Sequence, residues 1–344
     1  MATLKEIAEK AGVSIGTVDR VLHNRGRVSQ DNIDKIMRIV DESGYVPNQL
    51  ARRLKAHQDI CFGVLIPSLE SEYGYWSQIE LGISEAKYEL KTLDVNIIYS
   101  FFDRSQPGSY VAAAEELLSH DVLAYITAPL IEEEAREVFL KHPDVPCVFL
   151  DSSLPGLKPT WDFSQDPVKA GMTAARLMSF LDPSISRVFT VQSFRSAFNG
   201  NMRVKVFSES FLLKNPDAQV TNLLVSDGGK NLKSELLPLI YMEGSHNGIF
   251  VVNDGVHQIC DMFDELGLSG QFRIIGFDLS PENLSCLEQG KVDVIIGQAP
   301  RNQGYEAVML LYRRYVLLIE DHGSYQAPVD IYIKENASAS AYWG

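Results

Sequence analysis

Short apolar runs that alternate with amphipathic stretches constrain the fold of this chain more than any other feature of its sequence. Eight such runs are CFGVLIP, VNIIYSF, VLAYIT, PCVFLD, SRVFTVQ, GIFVV, FRIIGFD and VDVIIGQ. The stretches between them, such as Trp76 to Leu90 and Pro167 to Phe180, carry apolar residues at helical spacing. Buried strands that alternate with helices predict βαβ units and a parallel sheet. The fold class is therefore α/β.

The number of these units predicts two lobes rather than one sheet. Eight βαβ units are more than we expect in one sheet of this kind. We therefore expect two doubly wound parallel sheets. The chain has 344 residues, more than one typical domain, which also leaves room for a small domain of about 58 residues at the N-terminus.

The first 22 residues predict a small all-α helix-turn-helix. Gly12 can take the positive φ that ends a first helix, and Ser14 is placed to cap a second one. Thr17 and Arg20 stay on the polar side of the second helix, which can meet DNA. The apolar residues at helical spacing are Leu4, Ile7 and Ala8 in the first helix and Val18, Val21 and Leu22 in the second.

A third helix is expected from about Asp31 to Ser43, ending at Gly44. It should turn four apolar side chains toward a core shared with the first two helices. These are Ile33, Ile36, Met37 and Val40. Taken by itself, the pattern also suits a three-helix structural module or a protein-binding cap.

Two motifs in this region resemble one family of transcription factors. A-x-x-A-G-V-S-x-x-T-V-x-R-V-L, from Ala8 to Leu22, is similar to the start of the lactose-repressor/galactose-repressor (LacI/GalR) family. G-Y-x-P-N-x-x-A-R-x-L-K, from Gly44 to Lys55, resembles the segment that joins the DNA-binding domain of that family to its ligand domain. The resemblance implies a helix-turn-helix domain at residues 1–47, a hinge helix or linker at 48–58, and a ligand-binding and dimerisation domain at 59–344.

The resemblance implies which residues meet operator DNA. Ile15 and Gly16 stand where side chains of the family reach base edges; Gly16 offers no side chain, whereas Ile15 can touch a thymine methyl. Asp19 stands where the family usually has Ser, and phosphates would repel its carboxylate. The DNA-contacting residues implied by motif position are Thr3, Ser14, Ile15, Gly16, Thr17, Arg20, Asn24, Leu54 and Lys55.

The hinge segment predicts one short helix. Pro47 blocks continuation of the third helix, and Asn48 can cap a helix from about Gln49 to Lys55, which is marginal alone in water. By resemblance it folds when two copies pair over the minor groove, with Leu54 as an apolar wedge. Arg52, Arg53 and Lys55 would lie near phosphates. The alternative is an ordinary basic linker.

The resemblance to this family and to periplasmic sugar-binding proteins implies three crossings between the lobes. They are expected near Trp161, Val292 and Pro328. The first lobe would then hold residues 60–161 and 292–327, and the second 162–291 and 328–340, with a last strand from Val329 to Lys334.

Polar and aromatic residues follow several of the predicted strands, where open parallel sheets bind ligands. Carboxylates, amides, one guanidinium and aromatic rings suit a polyhydroxylated ligand, most naturally a sugar, because each hydroxyl both donates and accepts. Asp278 could instead cap a helix, Asn253 could form a turn, and Asp166 before Pro167 is interpreted as a helix cap. The candidate ligand residues are Tyr75, Trp76, Asp103, Asp151, Arg203, Asn253, Asp278 and Gln298.

Motif absences favour binding over catalysis. The chain has no H-E-x-x-H and no P-loop, and its four scattered cysteines suggest buried, reduced thiols rather than a zinc site. We expect no cofactor and no metal. A sugar-metabolising enzyme is the alternative class, and a nucleobase or a sugar phosphate is the alternative ligand.

Charge is divided unevenly between the two parts of the chain. Residues 1–58 carry 10 Lys and Arg against 7 Asp and Glu, whereas the rest carries 21 against 38. Attraction to phosphates is therefore local.

Without a leader or a membrane-length apolar stretch, a cytoplasmic location and no membrane partner are expected. The expected protein is a homodimeric regulator, a repressor, that binds a near-palindromic operator under control of the small ligand.

Overall fold

The computed structural model describes residues 4–22, 28–43, 60–69, 74–93, 95–193, 197–225, 231–240, 247–319 and 325–337. The chain divides into two compact units, Met1–Asp59 and Ile60–Gly344. The first unit contains helices α1 (Leu4–Ala11), α2 (Ile15–Leu22) and α3 (Gln30–Ser43).

The turn between α1 and α2 forms as its sequence predicts. Gly12 has a φ of +69°, which closes α1. Ser14 Oγ accepts a hydrogen bond from Thr17 N at 3.2 Å, so the predicted cap of α2 is present. The third helix begins at Gln30, one residue before the expected start, because Ser29 O accepts from Ile33 N at 3.1 Å.

The core of the first unit differs from the predicted one at α3. The expected inward residue Met37 is 41% exposed, so that prediction is wrong, and Ile33 is only partly buried. Ile39 packs against the core beside Ile36 and Val40 instead. Positions i, i+3 and i+4 share one helix face, and Met37 lies about 100° from Ile36. Gly44 and the side chains of Leu4 and Leu22 lie outside the described residues.

The second unit contains two sheets with helices between their strands. Its strands are β1 (Ile60–Pro67), β2 (Val95–Phe102), β3 (Ala124–Thr127), β4 (Cys147–Asp151), β5 (Trp161–Ser164), β6 (Arg187–Ser193), β7 (Gln219–Val225), β8 (Asn247–Val251), β9 (Arg273–Phe277), β10 (Val294–Gly297) and β11 (Asp330–Tyr332). Its helices are α4 (Gly74–Glu89), α5 (Ser109–Ser119), α6 (Glu132–Lys141), α7 (Pro167–Leu181), α8 (Phe198–Lys214), α9 (Leu232–Ile240), α10 (Val256–Leu266), α11 (Pro281–Glu288) and α12 (Pro300–Tyr315). No helix in the described ranges is both long and apolar enough to cross a bilayer.

The sheet orders confirm the doubly wound α/β class. The first sheet has the order β2-β1-β3-β4-β5 and is parallel throughout. The second has the order β11-β10-β9-β8-β6-β7, and only β11 is antiparallel. In β8, Ile249 packs into one apolar cluster and its neighbour Phe250 into another, so this sheet is buried on both faces.

The pairing of β10 corrects the expected lobe boundaries. A crossing near Val292 would put β10 in the first lobe, but Val294–Ile296 pairs with Ile275–Phe277 of β9. That expectation is wrong: the chain leaves the second sheet after Gly297. A buried apolar run has no residue that specifies its sheet, so the sequence could not assign it. The first crossing also comes later than expected, since β5 pairs with β4 up to Ser164.

Three smaller features also differ from the sequence analysis. β7 was not among the apolar runs, because it lies at a sheet edge and exposes Gln219 and several of its neighbours. The last strand is shorter than expected, at Asp330–Tyr332. Cys61 is half-buried, whereas the other three cysteines are buried as predicted.

Two glycines bring α4 and α12 into backbone contact in the first lobe. A Cβ added to Gly82 would lie 1.9 Å from Arg301 O, and one added to Gly304 would lie 2.2 Å from Ile79 O. Any side chain at either position must push the two helices apart.

We therefore predict that Gly82→Ala destabilises the second unit by about 2 kcal/mol or more, since overpacking against backbone cannot be relieved by a rotamer change. Urea unfolding measures the loss. Ser77→Ala, at an exposed position of the same helix, is the matched control and should change stability by less than about 0.5 kcal/mol. Equal stability of the two variants would contradict the close helix packing.

Candidate functional site

A cleft between the two lobes collects residues from the carboxyl ends of both parallel sheets. Its empty volume is about 590 Å³, part of it open to solvent. The first lobe contributes Tyr75, Trp76, Arg104, Leu130 and Asp151. The second contributes Ser193, Ala197, Asn199, Gly200, Arg203, Val252, Asn253, Asp254, Asp278 and Gln298. These residues are called the cleft below.

The cleft brings together all but one of the ligand residues suggested by the sequence. Those it brings together are Tyr75, Trp76, Asp151, Arg203, Asn253, Asp278 and Gln298. Asp103 does not line it, because its Oδ1 accepts from Ser105 N at 2.8 Å and from Ser105 Oγ at 2.7 Å. Its carboxylate stabilises a turn, and the neighbouring Arg104 lines the cleft instead.

Arg203 of α8 is the buried cation of the cleft. Arg203 is only 4% exposed. Nη1 donates to Val252 O at 3.2 Å, and Nη2 donates to Gln298 Oε1 at 3.1 Å. The guanidinium lies 4.2 Å from the centre of the Phe277 ring, a cation–π contact. Its Nε has no hydrogen-bond partner among the described residues.

Gln298 connects Arg203 to a buried carboxylate. Its Nε2 donates to Asp278 Oδ1 at 3.0 Å and to Oδ2 at 3.3 Å. Burial raises the pKa of Asp278 well above its usual value, and the charge of Asp254 raises it further. Asp278 does not cap the following helix, because Ser280 does so by accepting from Asn283 N at 3.4 Å.

Asp254 is a cleft residue that the sequence analysis missed, although it directly follows Asn253. Its carboxylate accepts from Ser280 Oγ at 3.0 Å and from Asn283 Nδ2 at 2.6 Å within the second lobe. It also accepts from Tyr75 N of the first lobe at 3.1 Å. Burial raises the pKa of Asp254 to about 6, despite these hydrogen bonds. Asp254 therefore joins the two lobes at the first turn of α4.

Asn199 of α8 was also missed, although it lies in the same NGNMR segment as Arg203. Its Nδ2 donates to Asp151 O, and its N donates to Ser152 Oγ at 3.3 Å, so it too connects the lobes. Its Oδ1 is buried without a hydrogen-bond partner among the described residues. Asn253 lines the cleft while its Oδ1 accepts from Ser193 N at 3.2 Å.

Two aromatic rings at the start of α4 close one side of the cleft. Tyr75 and Trp76 are buried, and their rings meet edge to face with centroids 5.1 Å apart. Burial raises the pKa of Tyr75, and the charges of Asp151 and Asp278 act in the same direction. The Tyr75 hydroxyl therefore stays protonated and can donate.

Asp166 lies outside the cleft, as its assignment as a helix cap requires. Its Oδ1 accepts from Val168 N at 2.9 Å and from Lys169 N at 3.1 Å at the start of α7.

The candidate DNA surface is the exposed side of α2. Ile15 is 46% exposed, and Arg20 and Ser14 are also exposed, whereas Thr17 is half-buried. A Cβ at Gly16 would meet nothing within 3.7 Å, so the helix itself leaves this position open. Thr3, Asn24, Leu54 and Lys55, with Arg52 and Arg53, lie outside the described residues.

Two protein families match the two units of the chain. Residues 3–48 match the bacterial regulatory proteins of the lacI family, and residues 62–315 match the periplasmic binding protein domain. The chain belongs to the periplasmic binding protein domain family over most of its length, and its first unit carries a domain of the lacI family of bacterial regulatory proteins.

Curated relatives agree with this family. The lactose operon repressor of Escherichia coli is 33% identical over 152 residues, which is 44% of this chain and 41% of that protein. The transcriptional repressor PurR of Vibrio vulnificus is 30% identical over 44% of each chain. The matched segments thus span less than half the length of these two relatives. Both are transcriptional repressors and not enzymes.

Solved structures share the fold. A candidate LacI transcriptional regulator from Bacteroides fragilis has a TM-score of 0.73 at 22% identity, over 81% of this chain and 98% of that one. A solute-binding protein of an ABC transporter from Burkholderia graminis, in complex with D-arabinose, has a TM-score of 0.72 at 18% identity, over 82% and 97%.

The buried carboxylate of Asp254 generates a prediction for stability against pH. Its pKa is about 6 in the folded chain and about 3.9 in an unfolded one. Folding therefore favours the protonated form, and the resulting stabilisation is present below about pH 4 and lost as the pH rises through about 6. The loss amounts to roughly 3 kcal/mol.

Urea unfolding between pH 4 and 7.5 checks this sign. Asp254→Asn should remove that part of the pH dependence, whatever its effect on absolute stability, whereas Asp217→Asn, at an exposed position, should keep it. Identical pH profiles for wild type and Asp254→Asn would show that Asp254 titrates alike in both states.

Proposed function

We propose that this protein is a sequence-specific DNA-binding transcriptional regulator, a repressor, whose operator affinity depends on a small polyhydroxylated ligand held in the cleft. The ligand is most naturally a sugar, and no catalysis is involved. The observation that carries the proposal is the cleft itself, where a buried donor and a buried acceptor have no hydrogen-bond partner among the described residues and lie in the same cleft as two aromatic rings. Because its target is DNA, we place the protein in the cytoplasm.

The chemistry of the cleft supports a ligand rich in hydroxyl groups. Within the described ranges, Arg203 Nε is a donor and Asn199 Oδ1 an acceptor without a hydrogen-bond partner, and a polar atom buried in that way costs about 1–3 kcal/mol. A hydroxyl can satisfy either of them, since it both donates and accepts. Tyr75 and Trp76 offer apolar ring surface to the C–H groups of a sugar. A solute-binding protein with this fold has been solved in complex with D-arabinose, which is a sugar.

Arg104 supports a second ligand class. It adds another guanidinium to the cleft, and paired guanidinium groups suit a phosphate. A sugar phosphate therefore belongs among the test compounds, together with purines, since an aromatic side chain can also stack on a nucleobase.

Ligand and operator are coupled through the segment between the two units. By resemblance, the hinge helix around Leu54 folds when two copies are correctly spaced over DNA. A ligand that changes the lobe angle would shift that folding equilibrium, and the effect on affinity is reciprocal. Operator titrations with and without the compound show whether the ligand weakens or strengthens operator binding.

Dimerisation is proposed through the outer edge of the first sheet. β2 is an edge strand whose Tyr99 and Phe101 rings stack with centroids 5.9 Å apart, and Phe101 is 46% exposed. Tyr88 and Leu93 are exposed nearby in the chain. Sedimentation equilibrium should give twice the 38.4 kDa of one chain, and Phe101→Asp should give the monomer. An unchanged dimer in that variant would move the interface elsewhere.

The ligand proposal predicts that one sugar raises the melting temperature of the protein. The panel comprises pentoses, hexoses, polyols, sugar phosphates and purines; a ligand at 100 times its Kd adds about 2.7 kcal/mol. Arg203→Lys should weaken binding of that compound tenfold or more, because a lysine cannot supply the fork of donors. Arg176→Lys, on the exposed side of α7, is the control.

Calorimetric titration of the compound into both variants gives the affinities. Binding with unchanged affinity to Arg203→Lys would place the ligand elsewhere. A shift with purines or sugar phosphates alone would replace the sugar by that class.

The DNA proposal predicts a near-palindromic consensus when the full chain selects from random duplexes. Arg20→Ala should weaken binding to that consensus by about 1–3 kcal/mol and relax the preference for one base pair. Arg38→Ala, on the exposed side of α3, is the matched control and should do neither. Equal losses in both variants would mean that α2 does not read the sequence.

A further inference from the structure

Gln165 is a buried residue at the junction of the two lobes of the second unit. It directly follows β5, where the chain first crosses from one lobe to the other, and it is 0% exposed. Its Nε2 donates to Gly297 O at 3.0 Å and to Pro328 O at 2.6 Å. Gly297 ends β10 at the second crossing, and Pro328 precedes β11 at the third. One side-chain amide thus joins all three connections between the lobes.

The same amide also contacts the cleft. Its Oε1 accepts from Arg203 Nη2 at 3.3 Å, and the second acceptor of that nitrogen, Gln298 Oε1, belongs to the residue after Gly297. The backbone oxygen of Gln165 accepts from Asn199 Nδ2 at 3.4 Å. A movement of the Arg203 guanidinium therefore acts on an amide that the three connections share.

The chemistry of this position requires a glutamine. Two carbonyl oxygens need donors, and a guanidinium nitrogen needs an acceptor, at one fully buried point. A primary amide supplies two donors and an acceptor, whereas a carboxylate supplies acceptors alone and a thioether hardly any. An asparagine has the same amide but is one methylene shorter, so it cannot reach the same three partners.

We propose that Gln165 is a positioning residue that sets the angle between the lobes and transmits the state of Arg203 to their three connections. The role of Arg203 as a ligand contact rests on the proposed function. The joining of the connections does not, because it exists in the chain without ligand.

The experiment measures the distance between the lobes in the full-length, ligand-free protein. Spin labels are placed on exposed positions by Glu137→Cys in the first lobe and Glu235→Cys in the second, with Cys61 changed to Ala. Electron–electron double resonance then gives the distance distribution. Gln165→Met keeps the volume and removes the three side-chain bonds. We expect the ratio of open to closed lobe arrangements to change about tenfold. The loss of one buried hydrogen bond is enough to produce a change of that size.

The matched control is Gln192→Met, which removes a buried glutamine whose Nε2 bond to Asn201 stays within the second lobe. It should alter thermal stability without altering the distance distribution. If Gln165→Met fails to fold, Gln165→Asn takes its place and should change the distribution in the same direction. A wild-type distribution in the folded Gln165 variant would overturn the proposal.

A second comparison tests the link to Arg203. Arg203→Lys should change the distance distribution in the wild-type background but not in the Gln165→Met background, since the connection is already lost there. Equal effects in both backgrounds would overturn the transmitting role. Because all these measurements are made without ligand, failure of every panel compound to bind would remove the sugar proposal and leave the role of Gln165 intact.

Discussion

The cost of burying the Arg203 guanidinium governs the arrangement of the cleft. A charge that leaves water loses several kcal/mol of solvation unless hydrogen bonds and nearby charge replace it. Here the replacements come from separate parts of the chain: Val252 after β8, Gln298 after β10, Gln165 after β5 and the Phe277 ring. The guanidinium can be satisfied only when these segments are in register. The cleft and the connections between the lobes are therefore one polar network.

On the side of the cleft, two polar atoms of that network make no hydrogen bond to the described residues. The buried Nε of Arg203 and Oδ1 of Asn199 lack partners among the described residues, and both residues line the cleft. Groups bonded on one side and open on the other make the lobe arrangement sensitive to what fills the cleft. A ligand shifts such an equilibrium only by its difference in affinity between the two lobe arrangements. The contacts from Asp254 to Tyr75 N and from Asn199 to Asp151 O join the two lobes without a ligand, so they stabilise the arrangement in which the lobes meet, and a ligand would have to add its own contacts to both lobes.

Much of this architecture could be predicted from sequence because it rests on local rules. Gly12 and Ser14 fixed the helix-turn-helix, and the apolar runs fixed the buried strands. The position of each candidate directly after a strand predicted that Asn253, Asp278 and Gln298 meet in one cleft. What failed depends on long-range pairing or on side-chain direction. The run that forms β10 fits either sheet equally well, and the direction of Asp103 against Arg104 is decided by the nearby Ser105. Gln165 carried no signal, because its importance lies in partners more than 130 residues away.

The proposed function requires the cleft and the operator to be thermodynamically linked through one chain. The direct test is to titrate the panel compound that binds into the protein twice, once alone and once saturated with its selected operator duplex. Linkage requires that the two ligand affinities differ, and that the same factor separates the operator affinities measured with and without the compound. If the protein binds both the compound and the operator, but its affinity for the compound is the same with and without the operator, the cleft and the operator are not linked.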